Sequence, residues 1–93
     1  MADLLVRIDG ATDPVPLRDC FWVLATPDGC ATVSLVGREA ATAEAAHIQA
    51  TPRVLERDRQ TRDGWRVDLY SRDQWREHVR PCFAGTCQHR AGA

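Results

Sequence analysis

Two apolar stretches flank the most legible turn in the chain. Cys20-Phe21-Trp22-Val23-Leu24-Ala25 and Cys30-Ala31-Thr32-Val33-Ser34-Leu35-Val36 lie on either side of Thr26-Pro27-Asp28-Gly29. Proline at the second turn position and glycine at the fourth favour a type I turn, so the pattern predicts a β-hairpin. Pairing Thr26 with Gly29 sets Trp22 opposite Val33, Leu24 opposite Ala31 and Cys20 opposite Leu35. That face is apolar throughout, whereas Phe21–Ser34, Val23–Thr32 and Ala25–Cys30 make a mixed one, so one buried face is expected.

The other elements follow from the same alternation or its absence. Leu4-Leu5-Val6-Arg7-Ile8 reads as a strand stopped by Asp9-Gly10, and the two prolines of the next segment predict a loop or extended edge. Gly37 closes the hairpin, and Arg38–Ala50 predicts an alanine-rich helix with Glu39 in its first turn. Ala41, Ala45 and Ile48 form a thin small-residue stripe on that helix, with His47 at its rim. Thr51-Pro52 then gives an N-cap and a first helical position. From Glu56 to Gln60 every residue is polar, so the alternation of a half-buried strand is missing and a short helix is predicted over 52–60. The competing reading is a long hairpin that turns at Arg62-Asp63-Gly64. Trp65, Val67 and Leu69 alternate with Arg66, Asp68 and Tyr70 as a strand. Ser71 and Gln74 then match a capping box, opening a helix through Trp75 and Val79 that Pro81 is expected to stop. Residues 81–93 follow as a tail bearing Cys and His, and Trp22, Trp65 and Trp75 are expected to join the hairpin, the 61–70 wing and the last helix in a core.

At 93 residues the chain is expected to be a single domain (1–93) near the lower size limit for unaided folding. Its net charge of −1 conceals a division. Residues 1–52 carry three Arg and seven acids (3 − 7 = −4), and residues 53–93 nine Arg and six acids (9 − 6 = +3). The basic half either faces an acidic partner such as nucleic acid or pairs with the acidic half inside the fold. Asp3, the short first apolar run and the lack of a cleavage signature predict no secretory signal, and no run is long enough to span a membrane. A cytoplasmic location is therefore expected, with the four cysteines acting as thiols or metal ligands.

Two sets of residues carry candidate chemistry. On a helix over 52–60, Arg53, Arg57 and Gln60 share one face, where Arg reads guanine and Gln reads adenine in a major groove. Arg59, Arg62 and Arg66 would then reach phosphates. The plainer alternative is a solvated helix with internal pairs such as Glu56 with Arg59. The second set, His78, Cys82, Cys87 and His89, supplies the four nitrogen and sulfur ligands of a zinc ion, against buried thiols as the alternative. Cys20 and Cys30, on opposite faces of the hairpin, are not expected to share a site. The sequence has no phosphate-binding glycine loop and no nucleophile elbow, so a non-catalytic protein is expected.

The text TAEAAHIQATPRVLERD followed by GWRVDLYSRDQW resembles small winged helix-turn-helix proteins of the excisionase and MerR types. In those families an alanine-bearing first helix precedes a Ser/Thr-Pro second helix, a Gly-aromatic-Arg wing and a tyrosine-serine start of the next helix. The resemblance spans residues 40–80 and implies sequence-selective DNA binding, as a transcription regulator or recombination accessory factor. The expected fold is α+β, the N-terminal hairpin packed on a winged helix-turn-helix-like unit with its wing at 61–70. The alternative is a two-layer ββαββα arrangement serving as a non-catalytic module for a protein partner.

Overall fold

Strand β3 (Phe21–Ala25) is apolar at every position, so both of its faces must be covered. It is the middle strand of a three-stranded antiparallel sheet, β4-β3-β5, with β4 at Ala31–Val36 and β5 at Arg66–Tyr70. The computed structural model describes residues 5–6 and 14–87. Among these, a two-stranded ladder of β1 (Leu5–Val6) and β2 (Val15–Pro16) precedes the sheet. Helices α1 (Ala43–Ala50) and α2 (Val54–Asp63) lie between β4 and β5. A last helical run comprises α3 (Arg72–Gln74), a π turn (Trp75–Val79) and α4 (Arg80–Ala84). The fold is α+β, as expected.

Helices cover both faces of the sheet, whereas the sequence predicted one buried face. On one side Trp22, Leu35, Val67 and Leu69 pack with Leu17, Ala40 and Ala46. On the other, Val23 and Ala31 pack with Val79 and Cys82, edged by Phe21, Tyr70 and Trp75. The tryptophans are therefore divided. Trp22 donates its indole N–H to Ala40 O at 2.8 Å on the first face, and Trp75 donates to Ser34 Oγ at 2.9 Å on the second.

The hairpin forms with the expected turn, closed by Gly29 N–H on Thr26 O at 2.8 Å. Its register differs from the expectation by two residues, because Trp22 pairs with Leu35 and Leu24 with Val33. Gly29 adopts φ 90°, which completes a three-residue loop, and the register slips between Leu24 and Ala25. A shift of two keeps each strand residue on its predicted face. Ala31, beyond the slip, is the exception: it pairs with Ala25 and joins the Val23 side.

Three helix predictions are corrected. Residues 37–39 form a 3-10 turn, and α1 begins only at Ala43, because Thr42 is its N-cap and accepts from Ala45 N–H at 3.1 Å. On α1 the buried position is Ala46, and Ile48 faces solvent. The short helix predicted over 52–60 is present as α2, yet it runs on to Asp63 and ends in a Schellman motif at Gly64 (φ 96°), with Trp65 N–H on Gln60 O. The segment expected as a wing, 61–70, is thus split: its first residues finish α2, and β5 pairs with β3 inside the central sheet. The two-layer alternative also fails, since 54–63 is helical.

Pro81 does not end the last helix. Its ring crowds the preceding turn and it has no N–H to donate, which breaks a regular α-helix. The chain widens ahead of it into the π turn, where Arg80 N–H reaches Trp75 O, and Pro81 lies in the first turn of α4. The expected tail therefore starts late, after a second Schellman motif at Gly85 (φ 78°) in which Thr86 N–H meets Pro81 O at 2.9 Å.

Candidate functional site

Two places hold the residues singled out in the sequence, on opposite sides of the sheet. The first is the corner of α1 and α2. Gln60 is 8% exposed, and its side-chain oxygen accepts from Thr51 Oγ1 at 3.0 Å and from His47 Nε2 at 2.8 Å. Those bonds hold it between the two helices. Arg57 donates to Thr51 O at 2.9 Å and Pro52 O at 2.8 Å, satisfying the carbonyls at the C-cap of α1 and in the link to α2. Two of the three residues expected to read bases are therefore engaged in joining α1 to α2.

Arg53, the third, is exposed at the N-cap of α2, and Arg62 is exposed in its last turn. Arg59 pairs with Glu56 at 2.6 Å, as anticipated for a solvated helix, and Glu56 raises the pKa of the guanidinium. Arg66 reaches Asp68 at 3.5 Å on the β5 face that also carries Tyr70. Within α2 three Arg are matched by Glu56, Asp58 and Asp63, so the helix carries no net charge. Its N-terminal end instead displays apolar side chains, with Val54 58% and Leu55 83% exposed. Ile48 of α1, also exposed, lines an open groove of about 230 Å³ with Glu44, His47, Arg57, Asp58 and Thr61.

The second place is a centre of three cysteines on the far face. Cys30 follows the hairpin turn, Cys82 lies in α4, and Cys87 follows the Gly85 turn. All three are buried, and their Sγ atoms lie within 4.8 Å of one another, an arrangement that can hold a metal ion. Cys30 and Cys87 Sγ are 3.8 Å apart, and Cys82 Sγ lies 3.7 Å from His78 O. No described cysteine is in a disulfide. Burial raises the Cys82 pKa and the neighbouring thiols raise it further, while the Ala31 backbone N–H works against them.

The structure thus brings together two of the four predicted zinc ligands and adds Cys30, which the sequence reading set aside. His78 is not brought in. Its side chain is 63% exposed and lies 3.7 Å from Glu77. His89 lies outside the described residues. Cys20 is buried elsewhere, with its thiol near Pro16 O at 3.6 Å, so Cys20 and Cys30 share no site, as expected. The missed signal was that Cys30 and Cys87 each directly follow a Gly-containing turn, positions from which zinc ligands are often supplied.

Among the described residues no helix is long and apolar enough to cross a membrane. Comparison with known proteins found no family model that matches the chain and no curated protein or solved structure similar to it.

Proposed function

We propose that this protein is a non-catalytic protein-interaction module whose contact surface is the corner of α1 and α2. The observation that carries this reading is the exposure of Val54 and Leu55 on a helix with balanced charge. Exposed apolar side chains rimmed by charges of both signs suit a protein surface, whereas a phosphate backbone selects a net positive face.

DNA binding, with Arg53, Arg62 and Arg66 on phosphates, is the second reading, and the exposure of those three side chains favours it. One set of measurements separates the two. Partners recovered from cells on the wild-type chain are purified and titrated against wild type and against Val54→Asp with Leu55→Asp. The expected result is direct binding by the wild type that falls at least roughly tenfold in the double variant, the cost of charging a buried contact. Equal binding by both proteins sinks the proposed surface. A mobility shift of random-sequence duplex at about 50 mM salt, lost in Arg53→Ala with Arg62→Ala, would establish the DNA reading instead.

A further inference from the structure

Sulfur ligands at about 2.3 Å from a tetrahedral zinc ion stand about 3.8 Å from one another. Cys30 and Cys87 Sγ are 3.8 Å apart, and Cys82 Sγ completes a triangle whose sides do not exceed 4.8 Å. A disulfide needs about 2.05 Å between sulfurs, so the pair is at ligand spacing and not at bonding distance. Buried cysteines often serve as small apolar side chains, and Cys20 is one such. The other three differ, since they converge on one point from the hairpin loop, from α4 and from the turn after it. Two independent turns, each with a glycine at positive φ, place Cys30 and Cys87 side by side across 57 positions of sequence.

We propose that Cys30, Cys82 and Cys87 are thiolate ligands of one structural zinc ion that clasps the last helix to the β3–β4 hairpin. The clasp lies on the sheet face opposite α1 and α2, so it goes beyond the interaction surface and stands without it. Its chemical logic is that of a small domain. Val23, Ala31 and Val79 pack with the sulfurs, edged by Phe21, Tyr70 and Trp75, and a chain of this size gains folding free energy from a metal. Binding replaces three S–H protons with one metal, releasing up to three protons per ion as the Zn–S bonds form. Three thiolates are soft ligands, which favours zinc or monovalent copper over magnesium or calcium.

The test is metal analysis of the reduced full chain after incubation with zinc and removal of unbound ion, followed by replacement with cobalt. One ion per chain is expected, with a thiolate-to-cobalt charge-transfer band in the near ultraviolet. Cys30→Ser should weaken zinc binding roughly tenfold or more, an effect that loss of even a supporting contact produces. Cys20→Ser and His78→Ala should leave binding unchanged. Cys82→Ser is the variant most prone to misfold, so chelation of the wild-type protein serves as a second measurement. Its melting temperature should fall on chelation and return with added zinc. A folded, reduced wild-type chain that takes up no zinc and shows no change with chelator overturns the proposal. So does a Cys30→Ser protein that binds zinc as tightly as wild type.

Discussion

Helix α2 and the last helical run are both rich in charged residues yet are held to the rest of the fold in different ways. The last run places Val79 and Cys82, both almost wholly buried, against Val23 and Ala31. It anchors further through Trp75, whose ring lies 5.3 Å from Phe21 and whose N–H reaches Ser34. Helix α2 does the reverse, burying a glutamine and presenting Val54 and Leu55 to solvent. The last run is richer in apolar residues, with Trp75, Val79, Cys82, Phe83 and Ala84 against Val54 and Leu55 in α2. Placement separates them as well: Val79 and Cys82 are aligned with an apolar strand face, and Val54 and Leu55 lie at the free end of a helix whose inward contact is polar. An element held by hydrogen bonds and leaving its apolar side chains outside is suited to binding; one held by burial is suited to support.

That division can be broken at the sheet first. Trp22 is buried and donates a hydrogen bond to Ala40 O, so Trp22→Ala should cost about 3–5 kcal/mol. Chemical denaturation measures it, and a loss below about 1 kcal/mol, the level of ordinary point mutants, would mean that this face does not support the fold. Gly37 is next. A Cβ there would sit 1.9 Å from Leu17 O and 2.9 Å from Cys20 O, both backbone atoms with no room to yield. Gly37→Ala should therefore cost on the order of 3 kcal/mol, and a variant of unchanged stability would show that the 3-10 turns Leu17–Asp19 and Gly37–Glu39 are not in close contact.

The polar anchor of α2 is sharpened by Gln60→Ala. It leaves the Thr51 hydroxyl and the His47 ring N–H without their acceptor in a site that is 8% exposed. The expected loss is about 1–3 kcal/mol, accompanied by faster amide exchange in 54–63 than in the sheet. Uniform exchange across both regions would contradict the idea that α2 is held separately.

Legibility in the sequence followed the same line. The hairpin, β5 and the capping box were readable because turn residues and strict alternation are local signals, and Ser71 and Gln74 do form both capping bonds. Helix α2 was readable from a missing alternation. The pairing of β5 with β3 was not, since no local pattern says which strand a neighbour will choose. Nor was the helix through Pro81, because proline stops helices unless a π turn makes room. The cysteine centre was half legible: Cys82 and Cys87 are close in sequence, whereas Cys30, 57 positions before Cys87, meets them only because the last helix docks on that face. Gln60 and Arg57 have base-reading chemistry, but their partners lie in α1 and the following turn, which a helix considered alone does not reveal.

Alkaline pH probes the support region more gently. Burial raises the pKa of Cys20 above 9.0, with Asp19 adding to it, and raises that of Tyr70 above 10.0, with Asp68 adding. Both groups hold their protons more tightly folded than unfolded. Their contribution is therefore fully present below pH 9 and is lost as pH rises through the folded values. Denaturation midpoints should be flat from neutral pH to about 9 and fall beyond it, and Cys20→Ala should delay the start of the fall. A midpoint that rises over that interval would contradict the burial of both groups.

The smallest effect is expected where the contrast is sharpest. Leu55 is 83% exposed, and removing its side chain takes almost nothing out of the folded contacts. Leu55→Ala should shift stability by no more than about 0.5 kcal/mol in either direction, since the leucine is as wet in the folded chain as in the unfolded one and alanine favours the helix slightly. The same change made at a core leucine costs about 2–5 kcal/mol, and Leu24, 3% exposed, is the internal control. Equal losses at the two positions would mean that α2 docks on something within this chain, and the proposed contact surface would then be part of the core. A neutral Leu55→Ala that also weakens a purified partner's binding would show a leucine that contributes to association and not to folding.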